Sequence, residues 1–215
     1  MMRLILKTSG LLGFVLLTAC VAAPKDYTNF RAHPPRSILV LPPLNESTDM
    51  KGTYGYLSTV TAPLAEMGFY VYPVAVIDSF MKENGMANAG EMHQVPLKKV
   101  REIIGADAVL YVTLKRYGAS FQVVNSVTAV SADARLVDVR TGTLLWTGKL
   151  YADDAQSNNQ SSLAAMLVTA VVKQVASDVT DNAHQYARMA NQGFMTPGQG
   201  LLYGPYHPKY ENKKP

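Results

Sequence analysis

The spacing of apolar and polar residues changes along the chain, and each change marks an element. After Arg3 and Lys7 an apolar stretch runs through Leu11, Leu12, Phe14, Val15, Leu16 and Leu17. About ten apolar residues fall short of the ~20 that cross a bilayer, but they suit the core of an export signal. Residues 21–36 carry Pro24, Pro34, Pro35, scattered charges and no period, which reads as a spacer. The apolar run 37–41, closed by Pro42 and Pro43, predicts a buried strand, and Asn45 to Asp49 a polar loop. Over 54–67, Tyr56, Leu57, Val60, Leu64 and Met67 recur at helical spacing; Gly68 stops the helix, and Pro63 kinks it or begins a second one. Residues 69–77 are rich in Tyr and Val and predict a second strand, confined by Pro73 to an edge or a bulge. A short helix is expected at 78–83. Another is expected at 96–104, with Val100, Ile103 and Ile104 turned inward.

The second half is clearer. Residues 105–107 turn the chain into an apolar strand at 108–114. Over 127–137, Val130, Ala132, Ala134 and Leu136 alternate with Ser131, Asp133 and Arg135, so that strand has one dry and one wet side. Residues 138–142 are a hairpin turn, with Asp138 to accept backbone N–H groups and Gly142 to take positive φ. Leu144, Trp146 and Leu150 put the next strand's apolar face on alternate positions. An alanine-rich helix is expected over 161–189, carrying Leu163, Leu167, Val171, Val175, Val179 and Ala183. Beyond Asn191 glycine and proline argue against regular structure, yet Phe194, Met195, Leu201, Leu202, Tyr203 and Tyr206 are too apolar for a free tail. That segment should pack on its own domain or on a second copy. The order of elements predicts an α/β fold: a single domain with a mixed β-sheet and helices packed on it.

Composition adds bounds. Among 215 residues, 48% are apolar and 17% charged, as in a chain that buries a core. Twenty basic residues face sixteen acidic ones, and two of the basic residues belong to the signal, so the exported chain is near neutral and no nucleic-acid surface is indicated. A single cysteine excludes an internal disulfide, a CxxC pair and a Cys-based zinc site. That cysteine, Cys20, follows Leu17-Thr18-Ala19, and the four residues resemble a bacterial lipobox. The resemblance implies cleavage before Cys20, a diacylglycerol on its sulfur and an acylated amino group, and two or more acyl chains hold a protein on a membrane where one does not. Val21 in place of Asp at the next position implies sorting to the outer membrane. The expected organisation is therefore 1–19 signal peptide, 20–36 lipidated tether, 37–190 α/β domain and 191–215 Gly/Pro/Tyr-rich tail.

The search for chemistry finds little. No nucleophile elbow, zinc-protease, calcium-loop or dinucleotide motif occurs. Gly142, Gly148 and Lys149 miss a phosphate loop, having five residues between the glycines and Leu150 where Ser or Thr belongs. His33, His93, His184 and His207 lie in separate elements without ligand spacing, so neither a metal nor another cofactor is expected. Asp153 with Asp154, and Asp178 with Asp181, read as solvated or capping carboxylates, and Lys98, Lys99 and Arg101 as a solvated helix face.

Four stretches, APLAEMGFYV (62–71), EMHQVPL (91–97), GADAVLY (105–111) and LLYGPYHP (201–208), resemble a bacterial lipoprotein family first noticed among genome-derived Neisseria surface-antigen candidates. A looser likeness to the curli-secretion lipoprotein CsgG and to the TolB amino-terminal domain rests on the first strand with its Pro-Pro end, the Gly-Ala-Asp strand entry, and RLVDVRTG (135–142) followed by Trp146. The resemblances imply a sandwich of the CsgG and TolB amino-terminal kind and supply no catalytic residue. The expected function is a non-enzymatic, outer-membrane-anchored lipoprotein, facing the periplasm or else the cell surface, that assists or docks to an envelope assembly. Its candidate partners are the membrane through Cys20, CsgG-like or other envelope lipoproteins, and a second copy. The alternative is a periplasmic binding module for peptidoglycan or a small ligand; a hydrolase with an unconventional site is the third reading.

Overall fold

The structure, a computed structural model, describes residues 25–121, 126–154 and 182–210. Strand β1 (Ser37–Val40) is central because both its faces are covered, Ile38 and Val40 on one side and Leu39 and Leu41 on the other. A strand buried on both faces reads as an unbroken apolar run. It pairs in parallel with β3 (Tyr70–Val71) and with β4 (Ala108–Phe121). Strand β2 (Leu44–Asn45) pairs with β4 farther along, at Thr113 and Leu114. Strand β5 (Ser126–Asp138) runs antiparallel to β4, and β6 (Leu144–Asp153) antiparallel to β5. Among the described residues this is a six-stranded mixed sheet, in the order β3-β1-β4-β5-β6 with β2 beside β4.

One sheet face carries α1 (Thr28–Ala32), α2 (Gly52–Glu66), α6 (Asn182–Asn191) and the 3-10 turn 192–195. The other carries α3 (Val74–Glu83), α4 (Ala89–His93) and α5 (Leu97–Ile103). Their side chains Ile77, Met81, Met92 and Val100 meet Leu39, Leu41 and Val109. That second layer stops at Tyr111, and among the described residues no helix covers the far part of β4, β5 and β6 on this side. The fold class is the expected one, an α/β domain with helices on a mixed sheet. Among the described residues no helix is long and apolar enough to cross a membrane.

Several expectations require correction. Pro63 sits inside one continuous α2 and starts no second helix, and Gly68, at φ +84, ends it. The strand expected over 69–77 is confined to Tyr70–Val71; Pro73, at φ −59, leads into α3 instead. Only Ile77 and Met81, four residues apart, are buried there, so this stretch carries a helical stripe and not the alternation of a strand. Helix α4 was not expected, although Asn88 and Glu91 form its capping signature: Asn88 Oδ1 accepts the Glu91 N–H at 3.0 Å and Glu91 Oε2 accepts the Ala87 N–H at 2.6 Å. Ile103 is 61% exposed, not inward; Val100 and Ile104 take the core side.

A β-bulge between Leu136 and Val137 lets Trp146 pair with the first and Leu144 with the second. Leu144 is therefore 46% exposed, whereas Leu145 and Trp146 are each 3% exposed. Residues 28–32, read as part of the spacer, form α1, which buries Phe30 against Phe69. Of the helix expected at 161–189, Ala183 lies in α6 and is buried; Leu163, Leu167, Val171, Val175 and Val179 lie outside the described residues. So do Cys20 and the signal segment.

The tail is irregular after Met195 yet packed, as its composition required. Phe194 and Leu201 are buried, Leu201 N–H donates to Phe194 O (2.7 Å) and Gly204 N–H to Met67 O (2.7 Å).

Candidate functional site

The period-two alternation on β5 decides which side chains reach the open sheet face, and strand register decides which of them meet. Tyr111, Arg135 and Thr147 form one row across β4, β5 and β6, and Thr113, Asp133 and Lys149 the next. These rows line a cleft of about 430 Å³. Lys25 closes its outer side, reaching around the edge of β6. Its ammonium donates to Thr147 O and to Gln199 O (3.3 Å) and stands 4.6 Å from the centre of the Trp146 ring.

Aromatic contacts hold the inner wall. The Arg135 guanidinium lies 4.6 Å over the Tyr111 ring, and the His93 ring meets the same tyrosine edge-on at 5.2 Å. His93 Nε2–H donates to Pro42 O at 2.9 Å, since a carbonyl can only accept. Burial, followed by the repulsion of Arg135, holds His93 below its ordinary pKa despite that bond. Burial also raises the Tyr111 phenol and lowers the Lys25 ammonium.

Lys25, Arg135 and Lys149 bring three positive charges against the one carboxylate of Asp133. Neither Arg135 nor Lys149 makes an ion pair among the described residues. A stacked guanidinium whose in-plane N–H groups have no anionic partner among the described residues, flanked by threonine hydroxyls, is suited to an oxyanion.

The other candidate groups do not converge. His33 Nδ1 lies 3.2 Å from an Arg140 nitrogen, and His207 stacks on Tyr203 with centroids 3.9 Å apart. His184 Nε2 is 3.2 Å from Ser58 Oγ, a nucleophile–base pair in distance alone. The Ser58 hydroxyl donates to Gly55 O at 2.8 Å, so the imidazole must donate to the serine, the reverse of what a general base does. Asp154 caps a strand end, accepting the Thr128 N–H at 3.2 Å, and Asp153 accepts the Tyr151 hydroxyl. Lys98 stands 3.9 Å from Glu102 on exposed α5 with Lys99 and Arg101. Asp178 and Asp181 lie outside the described residues. Among the described residues no three His, Cys, Asp or Glu groups are placed to hold a metal ion.

Alternation had put Asp133 and Arg135 on the wet side of β5, so half of the cleft was legible. Its meeting with Lys25, placed in the spacer, and with Lys149, one strand away, was not.

Residues 25–206 match the family model described as "Putative lipoprotein GNA1162-like". A protein of Neisseria meningitidis serogroup B, named "Putative lipoprotein NMB1124/NMB1162", is 46% identical over 201 residues, which cover 91% of this chain and 94% of the relative. The crystal structure of lipoprotein GNA1162 from Neisseria meningitidis matches with a TM-score of 0.54 at 52% identity, covering 66% of this chain and 99% of that one.

Proposed function

The chain belongs to the GNA1162-like lipoprotein family, and on that premise we propose that it is a non-enzymatic lipoprotein of the outer membrane, anchored through acylated Cys20, whose periplasmic α/β domain serves as an accessory or docking component of an envelope assembly. The observation that carries this reading is the lipobox Leu17-Thr18-Ala19-Cys20, which holds the single cysteine of the chain directly after the apolar segment. Val21 at the following position supports the outer membrane as destination. The Ser58 hydroxyl's bond to Gly55 O supports reading the Ser58–His184 pair as non-catalytic. The proposed partners are CsgG-like or other envelope lipoproteins, and a second copy of the chain.

Palmitate labelling and density fractionation test the anchor. Labelled protein is expected with the outer membrane, and Cys20→Ala should give an unlabelled form, uncleaved or soluble. Label that survives the substitution refutes the lipobox. Capture of the tagged protein from crosslinked envelopes tests the docking role: recovery of another envelope lipoprotein or of a second copy supports it, and recovery of the protein alone counts against it.

A further inference from the structure

Five peptide units separate Cys20 from Lys25, so their Cα atoms lie at most about 18 Å apart, whatever path the chain takes. A domain of this size has a radius of gyration of about 15 Å and is roughly 40 Å across. The link to the lipid is thus shorter than half the domain. It ends where Lys25 is pinned to the edge of β6, through Thr147 O and over Trp146. An anchor at Cys20 therefore keeps Lys25, and with it the β6 edge and the cleft that Lys25 closes, within about 18 Å of the lipid-bearing residue.

The charge on that side is suited to what it faces. Arg135 and Lys149 have no anionic partner among the described residues, and stacking on Tyr111 sets the plane of the guanidinium. A guanidinium edge and an ammonium with hydroxyls at their sides fit the oxygens of a phosphate, and basic groups close to an acidic leaflet are drawn to it. Asp133 opposes this, leaving a net excess of two positive charges. We propose that the cleft is the bilayer-facing side of the domain and takes the phosphate of an anionic phospholipid in the leaflet that carries the Cys20 acyl chains. This rests on the anchored reading above.

The test uses the acylated protein, purified from envelopes and reconstituted into vesicles of phosphatidylcholine, with or without phosphatidylglycerol. A water-soluble amine reagent modifies the lysines, and mass spectrometry compares Lys149 with exposed Lys209, two residues past the His207 that packs on Gly68. Lys149 should react several-fold more slowly, relative to Lys209, when phosphatidylglycerol is present, and the protection should vanish in high salt. Arg135→Gln should weaken it while lowering the melting temperature by no more than about 4 °C, the loss of one exposed cation–π contact. Equal Lys149 reactivity in the two vesicles overturns the proposal, as does full protection in Arg135→Gln. Equal protection by inorganic phosphate in detergent micelles would make the cleft a free-anion site, and protection by muropeptides in neutral vesicles a peptidoglycan site; either overturns it. The mass of the amino-terminal peptide reports separately on the anchor. If it carries no acyl chains, the anchored reading fails and this one with it, whereas an acylated protein with unprotected Lys149 overturns this proposal alone.

Discussion

Phe194 offers the sharpest test of whether the carboxy-terminal strap is part of the core. The ring is fully buried, 5.6 Å from the Trp146 ring between centroids, and its carbonyl accepts the Leu201 N–H at 2.7 Å. Nearby, the Trp146 indole N–H donates to Gln199 O at 3.0 Å and the Tyr27 hydroxyl to Gly200 O at 2.6 Å, so one short segment ties α1, β6 and the strap together. Phe194→Ala removes a large buried side chain in a region that these bonds keep from collapsing, and should cost about 3–5 kcal/mol. At ~2–4 °C per kcal/mol for a domain of this length, the melting midpoint should fall by roughly 6–20 °C. Urea unfolding followed by circular dichroism gives the free energy, and an unchanged slope shows that the change lies in stability. Trp146 is the only tryptophan, so its emission should shift to longer wavelength as water reaches the indole. A midpoint within about 2 °C of the parent, with unshifted emission, would refute the account and make residues 192–210 a surface linker.

Further predictions concern the core and the cleft. Tyr56 donates to Asn191 Oδ1 (2.5 Å) and Asn191 Nδ2 to Thr59 Oγ1 (2.9 Å), all three residues buried, so Tyr56→Phe should cost ~1–3 kcal/mol in urea unfolding. The double variant Tyr56→Phe/Asn191→Leu should regain part of that loss, because no polar atom is then stranded; a strictly additive loss would refute the network. Gly148 lies under the Trp146 indole, where a Cβ would collide with the ring, so Gly148→Ala should lower the melting midpoint by several degrees; an unchanged midpoint would show that the ring is free to move. His93 has a lowered folded pKa, so the unfolded chain binds its proton first. Its stabilising contribution is complete above the ordinary histidine value of about 6.5 and is lost as pH falls through the folded value. The parent should therefore lose more stability than His93→Gln between neutral and mildly acidic pH, and parallel melting curves against pH would contradict this.

The sequence alone determined whatever a local period or a short motif can carry. Strand β1 and the paired strands β4 and β5 were visible because burial on both faces and burial on one face leave different patterns within a few residues. The turn at 138–142 was legible for the same reason: Asp138 Oδ1 accepts the Thr141 N–H at 2.7 Å, and Gly142 takes φ +73. The proposal of a lipid on Cys20 likewise rests on four consecutive residues and on no fold. Val74 and Val76 favoured a strand on propensity, and the chain made α3 because a helix starting at Pro73 lays Ile77 and Met81 on the sheet. The exchange of Leu144 for Leu145 came from a bulge, and register belongs to a pair of strands and not to either one. Lys25 meets Thr147 across 122 positions of sequence, and no window along the chain holds both. The complete cleft therefore belongs to tertiary structure: Asp133 and Arg135 are neighbours on β5, but only the sheet register brings Lys149 beside them and only the docking of the amino-terminal segment on β6 adds Lys25.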